Sequence, residues 1–419
     1  MFRGTARIFA TIARVFVHRF RSNFRHQIRG SLGNVERHTL RPSDGARCVC
    51  QGGDEAIAVV TSAHMKPILL LLSCAAAFCQ TPTITEEIFH GSSAWVLQNG
   101  LIHVTVIAQG GHIAEMRLIS DDPKKSLNPM LIPPDPQTPG SYMGHLVCFP
   151  SFGPASQDEA RAGLTGHGEA RMVEWKKTKS EATADGVTLW YAAELPKTQF
   201  RFERSIHVPA GKRIVQVEEW AENLLAFDRP INWMEHATVG PPFAEPGKTT
   251  LDVSATRGQI APRGQSLKPG SPVEWPRGTG FDGNPVDLRV FQPGAKSGTY
   301  YPMRLDPARK EQFFTLFHPD YRLLIGYVFP SEGYPWGADW QDNNRRAARG
   351  IEFGSSPFDE GLRKSIDRGL LFDTPTFRWI GGKQRAKMEF TVFLMEIPEG
   401  FKGVKDARLE NGDAVVTPR

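Results

Sequence analysis

Two histidines and one glutamate in this chain have surroundings that suit chemistry. His167 lies in "GLTGHGEARMVEW", 163–175, framed by glycines that let a backbone turn sharply and approach a ligand. His236 lies in "NWMEHATVGPPF", 232–243, after Trp233 and Glu235 and before a Gly-Pro-Pro break. Glu352 lies in "RGIEFGSSPFDEG", 349–361, where it alternates with Ile351 and Phe353 and so projects from the opposite face of a strand. A histidine with a pKa near about 6.5 and a glutamate can trade proton-donor and proton-acceptor roles near neutral pH. Each residue taken singly reads equally well as a turn histidine or a surface glutamate, and nothing in their spacing brings them together. Arg171 and Arg161, on one loop, would suit a phosphate. Trp233, Trp336, Trp340 and Phe243 offer aromatic faces, although each also suits a core.

The remaining histidines carry less. His103 and His207 sit inside strand patterns, His112 follows a glycine pair, and His318 ends a strand in "FHPD". Cys48-Val-Cys50 has no second pair at zinc spacing, so no metal site is expected.

The elements that must position these residues read as strands. Short runs such as "LIHVTVIAQ", "VTLWYAAEL", "RIVQVEEWAEN", "RLLIGYVFP" and "KMEFTVFLMEI" alternate apolar and polar residues between turn formers. At least nine such runs follow residue 84, and long 3.6-residue periodicity is missing. The pattern predicts an all-β domain over 84–400, a large sandwich of antiparallel sheets, followed by a tail over 401–419. The Pro- and Gly-rich stretch 240–300 holds strand-like pieces of its own.

Charge is uneven. Of the formal +5, residues 1–64 supply +6 through ten Arg against four acids, so the rest of the 419 residues sum to about −1. That body offers no electrostatic footprint for nucleic acid. "MKPILLLLSCAAAFCQ", from Met65, has the pattern of a secretory signal peptide over 65–80, too short to span a bilayer. Leu71-Leu72-Ser73-Cys74 loosely matches a lipoprotein box, with Cys74 as the lipid-anchor candidate. The expectation is an exported protein that starts at Met65, with 1–64 an over-called basic extension. The competing reading takes 1–64 as an Arg-rich transit or surface-binding segment.

Taken in order, the segments resemble the galactose mutarotase-like family, which includes aldose 1-epimerases and hexose-6-phosphate mutarotases. "LQNGLIHVTVIAQGGHIAEMRL" resembles the family's first hairpin and "CFPSFGP…GLTGHGEARMVEW" its His-Gly-x-x-Arg stretch. "VEEWAENLLAFDRPINWMEHATVGPPF" resembles the segment of the second histidine, and "GIEFGSSPFDEG" the late strand with the catalytic Glu. The resemblance spans about 88–397. It implies the supersandwich form of the β-sandwich and a reaction without metal or organic cofactor. It implies that His236 protonates the ring oxygen while Glu352 takes the anomeric proton, with His167 and Arg171 positioning the sugar. Arg161 and Trp233 are added as substrate contacts. The chain departs from the pattern at Ala237-Thr238 after His236, at Phe353-Gly354 after Glu352, and at Glu169.

The expected function is thus anomer interconversion on a sugar or oligosaccharide. The alternative is a non-catalytic carbohydrate-binding or accessory protein on the same scaffold. A hydrolase is weaker, because it needs two carboxylates flanking one bond and only Glu352 is nominated. N-terminal sequencing of the native protein is expected to find no residue upstream of Met65. An earlier start would overturn the reading of 1–64.

Overall fold

The computed structural model describes residues 81–419, other than 139, 263–266, 294–298 and 344–346. The signal-like segment, Cys74 and the basic extension lie outside the described residues. Among those described, no helix is long and apolar enough to cross a membrane.

Alternation builds the sheets. In Ile214–Asn223, Val215, Val217, Glu219 and Ala221 are buried while Gln216, Glu218, Trp220 and Glu222 point outward. Gly186–Leu195 and Phe200–Pro209 behave alike, and the three strands form consecutive antiparallel pairs. They belong to an eight-stranded sheet that also holds Arg385–Glu396, Leu323–Pro330 and Glu311–His318. A second sheet, of thirteen strands, runs through His145–Cys148, Met234–Val239, Ala348–Gly354, Trp336–Asp342 and Thr299–Leu305 as consecutive neighbours. The two α-helices among the described residues are short, Gln157–Arg161 and Leu362–Arg368. The protein is an all-β sandwich, as the alternation predicts.

The inner faces meet in one core. Val147, Ile351 and Phe353 from the larger sheet pack with Phe202, Val217, Tyr327 and Phe390 from the smaller. Phe353 is stacked on Phe329, centroids 4.3 Å apart at 9°, and lies edge-on to Phe390 at 5.7 Å. Aromatic pairs of this kind contribute about 0.5–1.5 kcal/mol each beyond their buried area. They lock the register of Ala348–Gly354, and with it the direction of Glu352, because a slip of one residue would turn every side chain to the other face.

One region differs in detail from the sequence reading, whereas 240–300 carries the strand-like pieces expected of it. The 401–419 tail instead folds as a hairpin, Val404–Glu410 with Asp413–Pro418. Val404 and Ala407 pack on Phe313, Val328 and Phe393 of the smaller sheet's outer face, so the hairpin covers apolar surface that water would otherwise meet. The 240–300 stretch contributes five short strands between Thr250 and Asp287.

A polar cluster lies inside this apolar core. Arg204 donates from Nε to Glu219 Oε1 at 2.6 Å and from Nη1 to the Gly111 carbonyl at 2.9 Å. Its Nη2 lies 3.5 Å from Glu235 Oε2, which is 3.0 Å from His145 Nε2. Trp233 Nε1 donates to Glu219 Oε2 at 2.9 Å. Two carboxylates face one guanidinium, since burial, with the Arg204 charge adding, pushes His145 down to about 3 and keeps it neutral. Burial outweighs Arg204 and pushes Glu219 up to about 8, and burial raises Glu235 too. One proton is therefore held by the carboxylates at neutral pH. Arg204→Met would strand both carboxylates without a cation. Such losses cost about 3–5 kcal/mol. Urea unfolding is expected to show a loss of that size at pH 8 and a smaller one at pH 5, below the raised value of Glu219. A loss below about 1 kcal/mol at pH 8 would show that the cluster is not stabilising.

Candidate active site

His236 and Glu352 stand directly opposite each other on paired strands. His236 Nε2 is 3.1 Å from Glu352 Oε1. On the other ring edge, Thr238 Oγ1 lies 3.0 Å from Nδ1. Thr238 is two residues on, hence on the same strand face. Glu235 and Ala237 point into the core, as do Ile351 and Phe353, so His236 and Glu352 between them point away from it. Their face of the sheet carries its own small cluster of Leu146, Cys148, Phe152, Met234, Tyr300, Ala338 and Phe358. Strands buried on both faces hide their alternation, and every residue of Met234–Val239 and Ala348–Gly354 is buried.

The loop after His145–Cys148 brings His167 to this face. Glu169 N and Ala170 N both donate to the Phe149 carbonyl, and His167 N donates to Gly153 O. The approach is so close that a Cβ on Gly168 would lie 2.2 Å from Phe149 O. Gly168 therefore cannot be replaced without moving the loop, and its φ of 81° is itself glycine territory. His167 adopts φ 63°, rare for a residue with a side chain. Its ring centroid is 6.0 Å from that of His236, and its Nδ1 is 3.5 Å from Cys148 Sγ. Such a backbone at a site marks a conformation held by its surroundings.

Glu169 supplies part of that hold. Its carboxylate accepts from Lys197 N at 3.0 Å, Thr198 N at 2.8 Å and Thr198 Oγ1 at 2.7 Å. It anchors the loop to the smaller sheet's turn. Arg171 is a second anchor. Its Nε donates to Gly166 O at 3.1 Å, its Nη1 donates to Gly140 O, and its guanidinium lies 4.9 Å from the Tyr142 ring centroid. Tyr142 in turn contacts His167 and His236, at 5.5 and 5.4 Å between centroids.

The structure thus brings together His167, His236 and Glu352, with Arg171 behind Tyr142. It does not bring Arg161 or Trp233 to them. Arg161 ends an exposed helix, where its partner is Asp158 in the preceding turn, and solvent competes for its charge. Trp233 is fully buried on the core side, between Phe149 and Phe202 with its N–H on Glu219, so its face is closed to a ligand. A buried tryptophan needs a partner for its indole N–H, and the core supplies one. Trp336 and Phe243 are also buried, whereas Trp340 lies 6.3 Å from His236 on the site face. Tyr142, Cys148 and Thr238 were not singled out by sequence. Thr238 has the period-two signal; Tyr142 lies in a loop and has none.

Electrostatics favour uncharged groups here. Burial, with Arg171 adding, pushes His236 down to about 3. Burial, then the Glu352 charge, raises the Cys148 thiol, so it is no thiolate nucleophile. Burial raises the Tyr142 hydroxyl against Arg171, so it stays protonated. One group with converging metal-ligand atoms, Glu245, His318 and Asp320, lies elsewhere. Lys248 already pairs with both of its carboxylates. Asp320 N donates to His318 Nδ1 at 3.2 Å, which leaves the proton on the Nε2 facing Glu245. Those donors are committed to one another.

Solved structures share this architecture. A galactose mutarotase-like protein from Clostridium acetobutylicum matches 76% of this chain and 99% of its own, with TM-score 0.56 and 14% identity. A candidate aldose 1-epimerase from Klebsiella pneumoniae subsp. pneumoniae matches 75% of this chain and 83% of its own, with TM-score 0.54 and 13% identity. A TPR-domain containing protein from Parabacteroides distasonis matches 76% of this chain and half of its own, with TM-score 0.52 and 10% identity. No protein-family model and no curated protein matches the chain. The fold is the galactose mutarotase-like β-sandwich.

Because burial lowers the folded-state pKa of His236, its contribution to stability is complete above about 6.5 and is lost as pH falls toward 3. Ring-nitrogen NMR is expected to find the His236 imidazole neutral at pH 5. A midpoint near 6.5 would contradict the buried placement.

Proposed function

We propose that the protein binds the anomeric end of a sugar between His236, Glu352 and His167 and interconverts its anomers. The observation that carries this reading is the cross-strand His236–Glu352 contact of 3.1 Å, with the His167 ring beside it. Mutarotation opens and recloses a hemiacetal ring. One group takes the proton of the C1 hydroxyl as the C1–ring oxygen bond breaks, and the other gives a proton to that oxygen. A sugar inserted between the paired side chains would meet both groups. Recoil of the same two protons closes the ring on either face after rotation about the C1–C2 bond. The resemblance in the sequence assigns Glu352 the C1 hydroxyl and His236 the ring oxygen. The reaction needs no redox step and no group transfer.

The substrate we favour is uncharged. Arg171 spends two donors on backbone carbonyls, and Arg161 is an exposed helix-end residue paired with Asp158. Among the described residues, no clustered cation thus waits for a phosphate. Export, read from 65–80, belongs to the same proposal, because sugar phosphates are seldom met outside cells.

One observation favours a second reading, a carbohydrate-binding protein without turnover. His236 and Glu352 are only 4% and 2% exposed, and they already occupy each other. The fold alone does not decide between these readings. NMR exchange of α and β anomers over a panel of free aldoses separates them. The expected result is acceleration that falls about 10²-fold or more in Glu352→Gln and in His236→Ala. Binding without acceleration would favour the second reading, and an undiminished rate in both variants would reject the first.

A further inference from the structure

The outer face of the smaller sheet, on the side of the sandwich away from His236, carries a trough of about 520 Å³. Its lining follows from the strand register. One row crosses four strands as Trp190, Ser205, Glu218 and Glu389, each opposite the next. A second row crosses five as Thr188, His207, Gln216, Thr391 and Val328. All nine line the same trough. At the Val328 end, Pro330, Glu311 and Leu409 form a wall, where Leu409 N donates to Glu311 Oε2 at 3.4 Å. The C-terminal hairpin thus covers the apolar part of this sheet face and stops beside the polar part.

We infer that this trough is a second binding site, for an extended and uncharged oligosaccharide chain. Three features carry the inference. The first is chemistry. Hydroxyls (Thr188, Ser205, Thr391), an amide (Gln216), an imidazole (His207) and carboxylates mix donors with acceptors, as the hydroxyls of a glycan require. Trp190, half-buried, gives an aromatic face at one end. The exposed Lys179 ammonium lies 4.7 Å from its centroid, a contact a ligand can displace cheaply. The second is charge. Lys387 Nζ is 2.7 Å from both Glu218 and Glu389, so the two carboxylates are already balanced in part. The third is shape. Five strands spaced by about 4.8 Å give a length of about 19 Å, enough for several sugar rings in line. A peptide is a poorer fit, because the trough lies on a sheet face, where its backbone would find no free strand edge to pair with.

The inference does not depend on the anomer reaction. Isothermal titration of the full-length protein tests it, with neutral glucan, xylan, mannan and galactan oligomers of two to six units. Binding is expected to strengthen at least about tenfold from the dimer to the tetramer of one series, which is about 1.4 kcal/mol. Trp190→Ala and Gln216→Ala are each expected to weaken it about tenfold, while Glu352→Gln leaves it unchanged. Both substituted side chains are partly exposed, and an unchanged thermal midpoint checks that the variants fold. No heat with any oligomer at about 10 mM would overturn the proposal. So would binding that survives both trough substitutions, or binding lost only in Glu352→Gln, which would assign the glycan to the other face. Trp190-dependent binding of a lysine-rich peptide, with none of any glycan, would overturn it in favour of a protein partner.

Discussion

The Arg204 guanidinium, held between Glu219 and Glu235 in the middle of the sandwich, is the contact on which the rest of the arrangement depends. It joins the two sheets, since Glu219 belongs to the smaller and Glu235 to the larger. It also reaches the Gly111 carbonyl of the first hairpin's glycine pair. A Cβ on Gly111 would lie 2.6 Å from the Trp175 ring, so that pair is clamped against the end of the His167 segment. Glu235 immediately precedes His236. One buried cation therefore fixes the strand that carries one proposed acid–base residue and the turn behind the other histidine. Buried charge is a costly way to hold sheets together, but once paired, the loss of either partner leaves the other charge buried alone.

The acid–base pair owes its geometry to register more than to loops. Phe353, nested among Phe329, Phe390 and Tyr334, cannot move to the other face without emptying the core. Glu352 is thereby committed to the opposite face, against His236. Of the three, His167 arrives by loop, and its strained backbone is secured by the anchors of Glu169 and Arg171. These two residues are structural supports in this protein. The Arg171 side chain, which the sequence resemblance offered as a sugar or phosphate contact, gives its Nε and Nη1 donors to backbone carbonyls.

The two faces of the sandwich divide along the same physical line. On the larger sheet, the central strands are buried on both sides, which closes a small site around Glu352 and a neutral His236. On the smaller sheet, strict alternation leaves an outer face of Trp, Thr, Gln and Glu that only the C-terminal hairpin partly covers. The sequence reads as a tail over 401–419, and neither the hairpin nor its docking was legible there, because a tail and a packed hairpin differ only in what lies beneath them.

The sequence by itself determined the all-β class, through period-two alternation that no helix can satisfy, and the order of the His167, His236 and Glu352 segments. Glycine spacing around His167 also foretold a sharp turn, since few other residues tolerate it. Tertiary structure alone decided which residues meet. Arg161 and Trp233 lie close in sequence to the site residues yet leave the site, the first to solvent and the second to the core. Adjacent strand residues point to opposite faces, so nearness along the chain says little about nearness in space. Tyr142 enters the site from a loop with no periodic signal, and Glu169 finds its partners about thirty residues away on another sheet. Contacts of that kind depend on how the sheets stack, which no local pattern records.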